Sequence, residues 1–478
     1  MTPPPARPPA DADGPPGAEG GRSPLRIATA TLIGTTVEWY DFAIYGTAAA
    51  LVFPKLFFPE MSPALGVLSS FATLAVGSLG RPLGALLFGH IGDRYGRKHA
   101  LIGSLLLMGA STFLIGLLPG YAVAGALAPV LLLIIRVLQS LAVGGEWGGA
   151  VLYAVENAPP HRKALYGSFP QVGDGLGFFL ATGVFTLASL PGHDALLAWT
   201  WRIPFLLSSV LVVTGLIIRS RLEEAPEIKE ALREERESGG AAAKLPVLDV
   251  ARGSWRTWLL ATGAFLVTVG GFYVIVTFMS AYAVSQLGFT EAQTSAAGMF
   301  ASVVVIVFTP LTALLGDRFG VRRVTLVGMA AHLVVAFPMF WLAGSHTLVG
   351  LWAGMGLGML ASTIAYATVG TMVTEWFPPR VRYTGLSLGY QIAGLIGGGA
   401  VPPLAQWLAG SSGASWTPVA VLFIVMALVS MGCVALHRRM AAPDSAASES
   451  TASDSAPSGS APSGSAPSVA DTAPQEIR

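Results

Sequence analysis

The sequence predicts an all-α membrane protein with twelve transmembrane helices arranged as two pseudo-symmetric six-helix bundles. Three observations carry this. First, 53% of the 478 residues are hydrophobic and only 12% are charged, with a mean hydropathy of +0.62, whereas a soluble domain carries about 25% charge. Second, twelve apolar stretches can be counted along the chain. Each is near the ~20 residues that cross a ~30 Å hydrocarbon core at ~1.5 Å rise per residue. Third, the halves repeat. Gly92-Asp93-Arg94-Tyr95-Gly96 returns as Gly316-Asp317-Arg318-Phe319-Gly320, and Glu156-Asn157-Ala158-Pro159-Pro160 returns as Glu375-Trp376-Phe377-Pro378-Pro379. Two pairs at nearly one offset define parallel six-span halves, an arrangement that places a binding site between them near the midplane. The net charge of +1 offers no attraction to nucleic acid, and one cysteine, Cys433, allows neither an intrachain disulfide nor a cysteine metal cage.

Residues 1–24 are Pro/Gly-rich and lack an apolar core, so they read as a disordered cytoplasmic tail rather than a cleaved signal peptide. The first span is then the insertion signal. The N-terminal bundle covers 25–218, with spans near 27–53, 64–88, 100–118, 128–155, 165–190 and 199–218. Residues 219–256 form a charged linker with a short amphipathic helix lying on the inner surface. The C-terminal bundle covers 257–437, with spans near 257–284, 293–315, 324–342, 348–374, 385–409 and 417–436. The Ser/Ala/Pro repeat of 438–478 reads as a disordered cytoplasmic tail. Lys and Arg gather after every even-numbered span: Arg94, Arg97 and Lys98; Arg162 and Lys163; Arg219 and Arg221; Arg318, Arg322 and Arg323; Arg380 and Arg382; Arg438 and Arg439. Lys55 is the clear exception. The positive-inside rule therefore places both termini in the cytoplasm.

The first span carries Glu38 and Asp41 three residues apart, with Tyr45 four further on, all on one helical face. Charges in lipid are costly, so these acids face a cavity or a partner, which points to protons, cations or a polar substrate crossing the membrane. Counted from Ile27, Asp41 lies ~21 Å in, or ~9 Å from the outer face, and Arg136 of the fourth span lies ~9 Å from the same face. An acid–guanidinium pair between them would offset their desolvation. It serves either as a proton-coupling site, with Asp41 ahead of Glu38, or as a structural ion pair. Gly144, Gly145, Gly148 and Gly149 suit close helix packing. Glu146 among them faces either a cavity or a hydrogen-bonding neighbour. Asp174, with Gln171 one turn before it, either lines the cavity or makes a helix–helix hydrogen bond. In the C-terminal half the polar candidates are Tyr273, Tyr282, His332, Tyr366, Tyr390 and Gln391. Gly397, Gly398, Gly399, Pro402 and Pro403 predict a bend in span eleven. Arg81, followed by Pro82, suits gating or inner-end packing.

GHIGDRYGRK (Gly89 to Lys98) resembles the loop signature of the major facilitator superfamily. With GTTVEWYDFAIYG, RPLGALLFGHIGDRYGRK, RVLQSLAVGGEWGGAV, ENAPPHRKALYGS and WRIPF, the chain from about 25 to 436 resembles that superfamily's metabolite:proton symporters, and its first half most resembles the shikimate-type branch. In the second copy of the signature Ala313 stands for Gly89 and Val321 for Arg97. The resemblance implies a proton-coupling pair between spans one and four and a carboxylate-binding role for Arg202. From its neighbours Trp199 and Trp201 alone, Arg202 would instead snorkel to the headgroups. The expected substrate contacts are Tyr45, Arg136, Gln171, Asp174, Arg202, Tyr273 and Gln391. The expected gate comprises Gly89, Asp93, Arg94, Arg97, Glu156, Asp317, Arg318 and Glu375. Arg97 would pair with Glu156, and Arg322 or Arg323 with Glu375 in the other half.

These features together imply a proton-coupled secondary transporter that imports a small polar metabolite, a carboxylate of shikimate or dicarboxylate type. A proline/betaine-type osmolyte symporter and a proton antiporter are the alternatives. Expected partners are the substrate, H+ and the bilayer of the inner membrane. A monomer is expected, with the proton gradient in place of a cofactor. An enzyme is disfavoured: the seven histidines are scattered, and neither metal-ligand spacing nor a phosphate-cradling Gly-Lys loop occurs.

Overall fold

The computed structural model describes residues 24–224, 230, 233, 254–410 and 415–454. A compact body ends at Val434, and a second unit begins at Ala435. Twelve membrane helices follow in order: α1 (Pro24–Leu51), α2 (Leu68–Tyr95), α3 (Arg97–Leu117), α4 (Leu127–Glu156), α5 (Pro160–Ser189), α6 (Arg202–Ser220), α7 (Trp255–Gln286), α8 (Glu291–Phe319), α9 (Val321–Ala343), α10 (Leu348–Thr374), α11 (382–408) and α12 (Thr417–Asp454). Ten of these are long and apolar enough to cross a membrane by composition alone; α1 and α11 are the other two. The polarity of α1 is concentrated in its two acids, both buried inside the body.

The loop signature is helical rather than a loop. α2 runs to Tyr95 and α3 starts at Arg97, so the whole turn is Gly96, at φ +105°. α8 and α9 meet in the same way at Gly320, φ +96°. That backbone region favours glycine. The signature acids therefore sit on rigid helix ends. The glycines of α4 permit close crossings on two sides: a Cβ on Gly144 would lie 2.1 Å from the Arg81 carbonyl of α2, and one on Gly148 would lie 2.1 Å from Ser387 Oγ of α11. The bend expected in α11 coincides with a π-helical segment, Ile396–Ala400, and α7 carries another at Tyr273–Phe278. Such segments break the regular hydrogen-bond ladder and concentrate at functional sites.

Two boundaries differ from the sequence expectation. Arg219, assigned to the linker because it opens a charged run, is the wholly buried last turn of α6. In the second unit the helix reaches Asp454, through an Ala-rich run of high helix propensity that the sequence places in a disordered tail. The rest of that tail, most of the linker with its amphipathic helix, and residues 1–23 lie outside the described residues.

Candidate functional site

A cavity of about 930 Å³, counting the space at its mouth, lies between the halves. Glu38, Trp39 and Phe42 of α1, Arg81 of α2 and Asp174 of α5 form its N-terminal wall. Tyr273 of α7, Ser302 of α8, Tyr366 of α10, and Tyr390 and Gln391 of α11 face them. Tyr366 donates to Asp174 Oδ2 (2.8 Å) across the halves and shares a hydrogen bond with Tyr390 (2.9 Å). Trp147 of α4 stacks on Tyr390 with ring centroids 3.7 Å apart. Gln391 donates to the carbonyls of Val143 and Gly144 (3.3 and 3.4 Å). Glu38 Oε2, Asp174 Oδ1, Arg81 Nε and Gln391 Oε1 have no protein hydrogen-bond partner. The floor is thus aromatic, with a few polar atoms free to meet a small ligand, as binding sites for small molecules usually are.

Glu38 and Asp41 diverge. Three residues apart on a helix are about 60° apart in direction; Glu38 reaches the cavity, and Asp41 turns into the N-terminal bundle, 1% exposed. Asp41 and Arg136 do not form the direct pair that their matched depths suggest. Thr112 donates its hydroxyl to Asp41 Oδ2, Gln139 Nε2 donates to Thr112 Oγ1 (2.7 Å), and Arg136 donates to Gln139 Oε1. Two polar side chains stand between the charges, giving a buried relay across α1, α3 and α4. Tyr45 belongs to the Arg136 end of this relay, not to the cavity lining: Arg136 lies over its ring at 4.2 Å, and its hydroxyl meets Thr73 Oγ1 (2.6 Å).

Of the expected substrate contacts, Asp174, Tyr273 and Gln391 line the cavity. Arg136 does not, being held by Gln139 and Tyr45. Arg202 neither lines it nor serves only as a headgroup anchor. Its guanidinium stacks on Trp201 and donates to the carbonyls of Gly116 and Leu118 (2.6 and 2.9 Å). It thereby caps the last turn of α3, whose carbonyls have no partner within the helix. Gln171 is fully buried; its amide donates to Tyr366 O of α10 (3.4 Å) or, with the amide turned over, to the carbonyls of Gly167 and Ser168 (3.0 and 2.9 Å). His332 is satisfied by Gly328 O (2.7 Å) and Ser362 Oγ (3.1 Å). Sequence reasoning misplaced Arg81 and left Glu146 open between the cavity and a hydrogen-bonding neighbour. Arg81, read as an inner-end residue from Pro82 and its small neighbours, lines the cavity over the Phe42 ring (5.3 Å). Glu146 faces not the cavity but a fully buried Arg219, which also donates to Leu101 O (2.7 Å) and Ala30 O (3.3 Å); Ser104 completes the set on Glu146 Oε2 (2.9 Å). Arg219 reads in the sequence as the start of the charged linker, so its pairing with Glu146, 73 residues away, was not legible.

Polar contacts join the halves at the end that carries the signatures. Asp93 accepts hydrogen bonds from the backbone N–H groups of Tyr383 (3.1 Å) and Thr384 (3.0 Å), which open α11, and from Thr384 Oγ1 (2.8 Å). Asp317 accepts from the N–H groups of Ala164 (2.7 Å) and Leu165 (3.1 Å), in the short helical segment Lys163–Gly167 that leads into the main run of α5. Each acid therefore caps a helix N-terminus of the opposite half, where free N–H groups and the helix dipole favour negative charge. Arg97 braces the first of these. It pairs with Asp93 (2.9 Å) and Glu156 (3.4 Å) and donates to Pro379 O (3.3 Å), while Arg382 approaches Glu156 at 3.7 Å. Gly89 lets α11 approach: a Cβ there would lie 2.7 Å from Thr384 Oγ1. Arg94 and Arg318 are exposed and lie over their neighbours Tyr95 and Phe319. Glu375 is also exposed. Val321 stands where Arg97 would be, so the second signature lacks the arginine that pairs with Asp93 in the first.

This arrangement, twelve helices in two halves around a central cavity, defines a major facilitator transporter. The model of the sugar (and other) transporter family matches residues 27–437, and the chain belongs to that family. It is 41% identical over 391 residues to the inner membrane metabolite transport protein YhjE of Escherichia coli K12, covering 80% of this chain and 87% of the relative. It is 38% identical to the shikimate transporter of the same organism, covering 85% and 92%, and 34% identical to its proline/betaine transporter, covering 84% and 81%. The fold matches that of the proton:xylose symporter XylE bound to a bromodeoxyglucose, with a TM-score of 0.69 at 18% identity over 87% of this chain and 95% of the other. The protein is a multi-pass membrane transporter of small molecules and not an enzyme.

Proposed function

We propose that the protein is a proton-coupled importer of a small polar carboxylate, working as a monomer in the inner membrane with both termini cytoplasmic. The observation that carries this is the division of the two α1 acids between a cavity and a buried relay. Glu38 meets the ligand space, while Asp41 ends a chain of hydrogen bonds leading to Arg136. A carboxylate whose ionisation follows its partners and solvent access is what proton coupling needs. The capped Asp93 and Asp317 close one end of the body, which the positive-inside rule assigns to the cytoplasm; the conformer is then outward-facing. Rocking of the halves about the cavity completes the cycle. The names of the relatives, among them a shikimate transporter, support a carboxylate. A zwitterionic osmolyte is the second reading, favoured by Trp39, Phe42, Phe272 and Tyr273 standing beside two acids, a setting that suits an ammonium group.

A thermal-shift screen of the purified protein against shikimate, quinate, dicarboxylates, aromatic acids and betaines tests the substrate class. Flux of the stabilising compound in inside-out vesicles then separates import from export. Stabilisation by the acids, with proton-driven movement toward the cytoplasmic face, is expected; stabilisation by betaines alone, or proton-driven export, overturns the corresponding part of the reading.

A further inference from the structure

We propose that Arg81 is the specificity-determining residue that anchors the anionic group of the substrate. The proposal deepens the transport reading and rests on it. Among the described residues Arg81 is the one cation lining the cavity, facing Glu38, Asp174 and a cluster of aromatic rings. Arg136 and Arg202, the other arginines expected to meet substrate, are occupied elsewhere by Gln139, Tyr45 and the α3 carbonyls.

Position and chemistry both fit the role. α2 is interrupted at Leu79, between the segments Pro63–Ser78 and Gly80–Tyr95. Arg81 sits in the first turn after that break. Its guanidinium plane lies over Phe42 at 5.3 Å, which orients it without using its N–H groups. Nε is buried and has no protein hydrogen-bond partner, and no ion pair joins Arg81 to Glu38 or Asp174. A guanidinium carries five N–H donors in a planar fork that matches a carboxylate, and such a pair is both strong and directional. Across the cavity stand the hydroxyls of Tyr366 and Tyr390, and beside them Asp174 Oδ1 of the N-terminal wall offers an acceptor, suited to the hydroxyl or ammonium end of the same molecule. The site thus reads a substrate by its two ends, with the carboxylate at α2.

The test compares each acid with its own methyl ester, using shikimate, proline and glycine betaine as probes, in binding to the intact purified transporter. The parent is expected to bind at least one acid about ten- to a hundredfold tighter than its ester, the scale of a charge-assisted hydrogen-bonded pair. Arg81→Gln is expected to abolish that preference while retaining ester binding, which also shows that the variant is folded. Arg81→Lys is expected to restore part of it, and Arg202→Gln to leave it intact. A preference that survives Arg81→Gln overturns the proposal, as does loss of all ester binding in Arg81→Gln with the acid preference lost in Arg202→Gln. A parent that binds no acid better than its ester overturns it too. Acid preference in a parent that shows no proton-driven uptake leaves the anchor standing and removes the transport reading instead.

Discussion

At the scale of single residues, charge burial decides the roles. Asp41 and Arg136 were legible as a depth-matched pair because helical rise alone gives depth. The two residues between them, Thr112 and Gln139, were not, because they lie on other helices and are common packing residues. Asp41→Asn keeps the shape and hydrogen bonding of the relay but cannot carry its proton. It is expected to abolish gradient-driven accumulation while retaining counterflow exchange; accumulation equal to the parent's would pass the role to Glu38 or Asp174. Glu146 and Arg219 illustrate the opposite kind of buried charge. Their pair is fully enclosed and ties α1, α3, α4 and α6 together. Removing one member leaves the other unpaired, which costs about 3–5 kcal/mol. Glu146→Ala is therefore expected to lower thermal stability sharply, with Glu146→Gln milder; equal melting temperatures for parent and Glu146→Ala would contradict a stabilising role.

At the scale of elements, the sequence repeat was the most informative single feature. It located Asp93 and Asp317 as equivalents. It did not reveal that each caps a helix of the other half, since a motif read along one chain favours its own helix as partner. Val321 in place of Arg97 already hinted that the halves differ, and the exposed Glu375 agrees. At the signature end Arg97 gathers Asp93 and Glu156, and Arg382 approaches the same Glu156. Arg97→Gln and Glu156→Gln are each expected to raise the inward-facing population, read by accessibility of single cysteines placed at the two mouths. Because both remove the same contact, the double variant should resemble the single ones; additive effects would argue against direct coupling.

At the scale of the whole molecule, hydropathy set the number of helices, and the spacing of Lys and Arg set an orientation. Cavity membership was beyond both, because it depends on how helices rotate about their axes. Arg81 lines the cavity and Arg202 caps α3, both against expectation, for this reason: a hydropathy trace gives depth in the membrane but not azimuth. The orientation is open to a direct check. In a background lacking Cys433, Ser450→Cys is expected to resist impermeant maleimide on intact cells and to react after permeabilisation; labelling on intact cells would invert the topology. The central claim is that substrate and proton move together. Proteoliposomes containing the parent protein and an internal pH dye, given a bound carboxylate from outside without any imposed pH gradient, measure this most directly. Substrate entry is predicted to acidify the lumen, and Asp41→Asn to abolish that signal. Substrate entry with no change in lumenal pH would contradict the account.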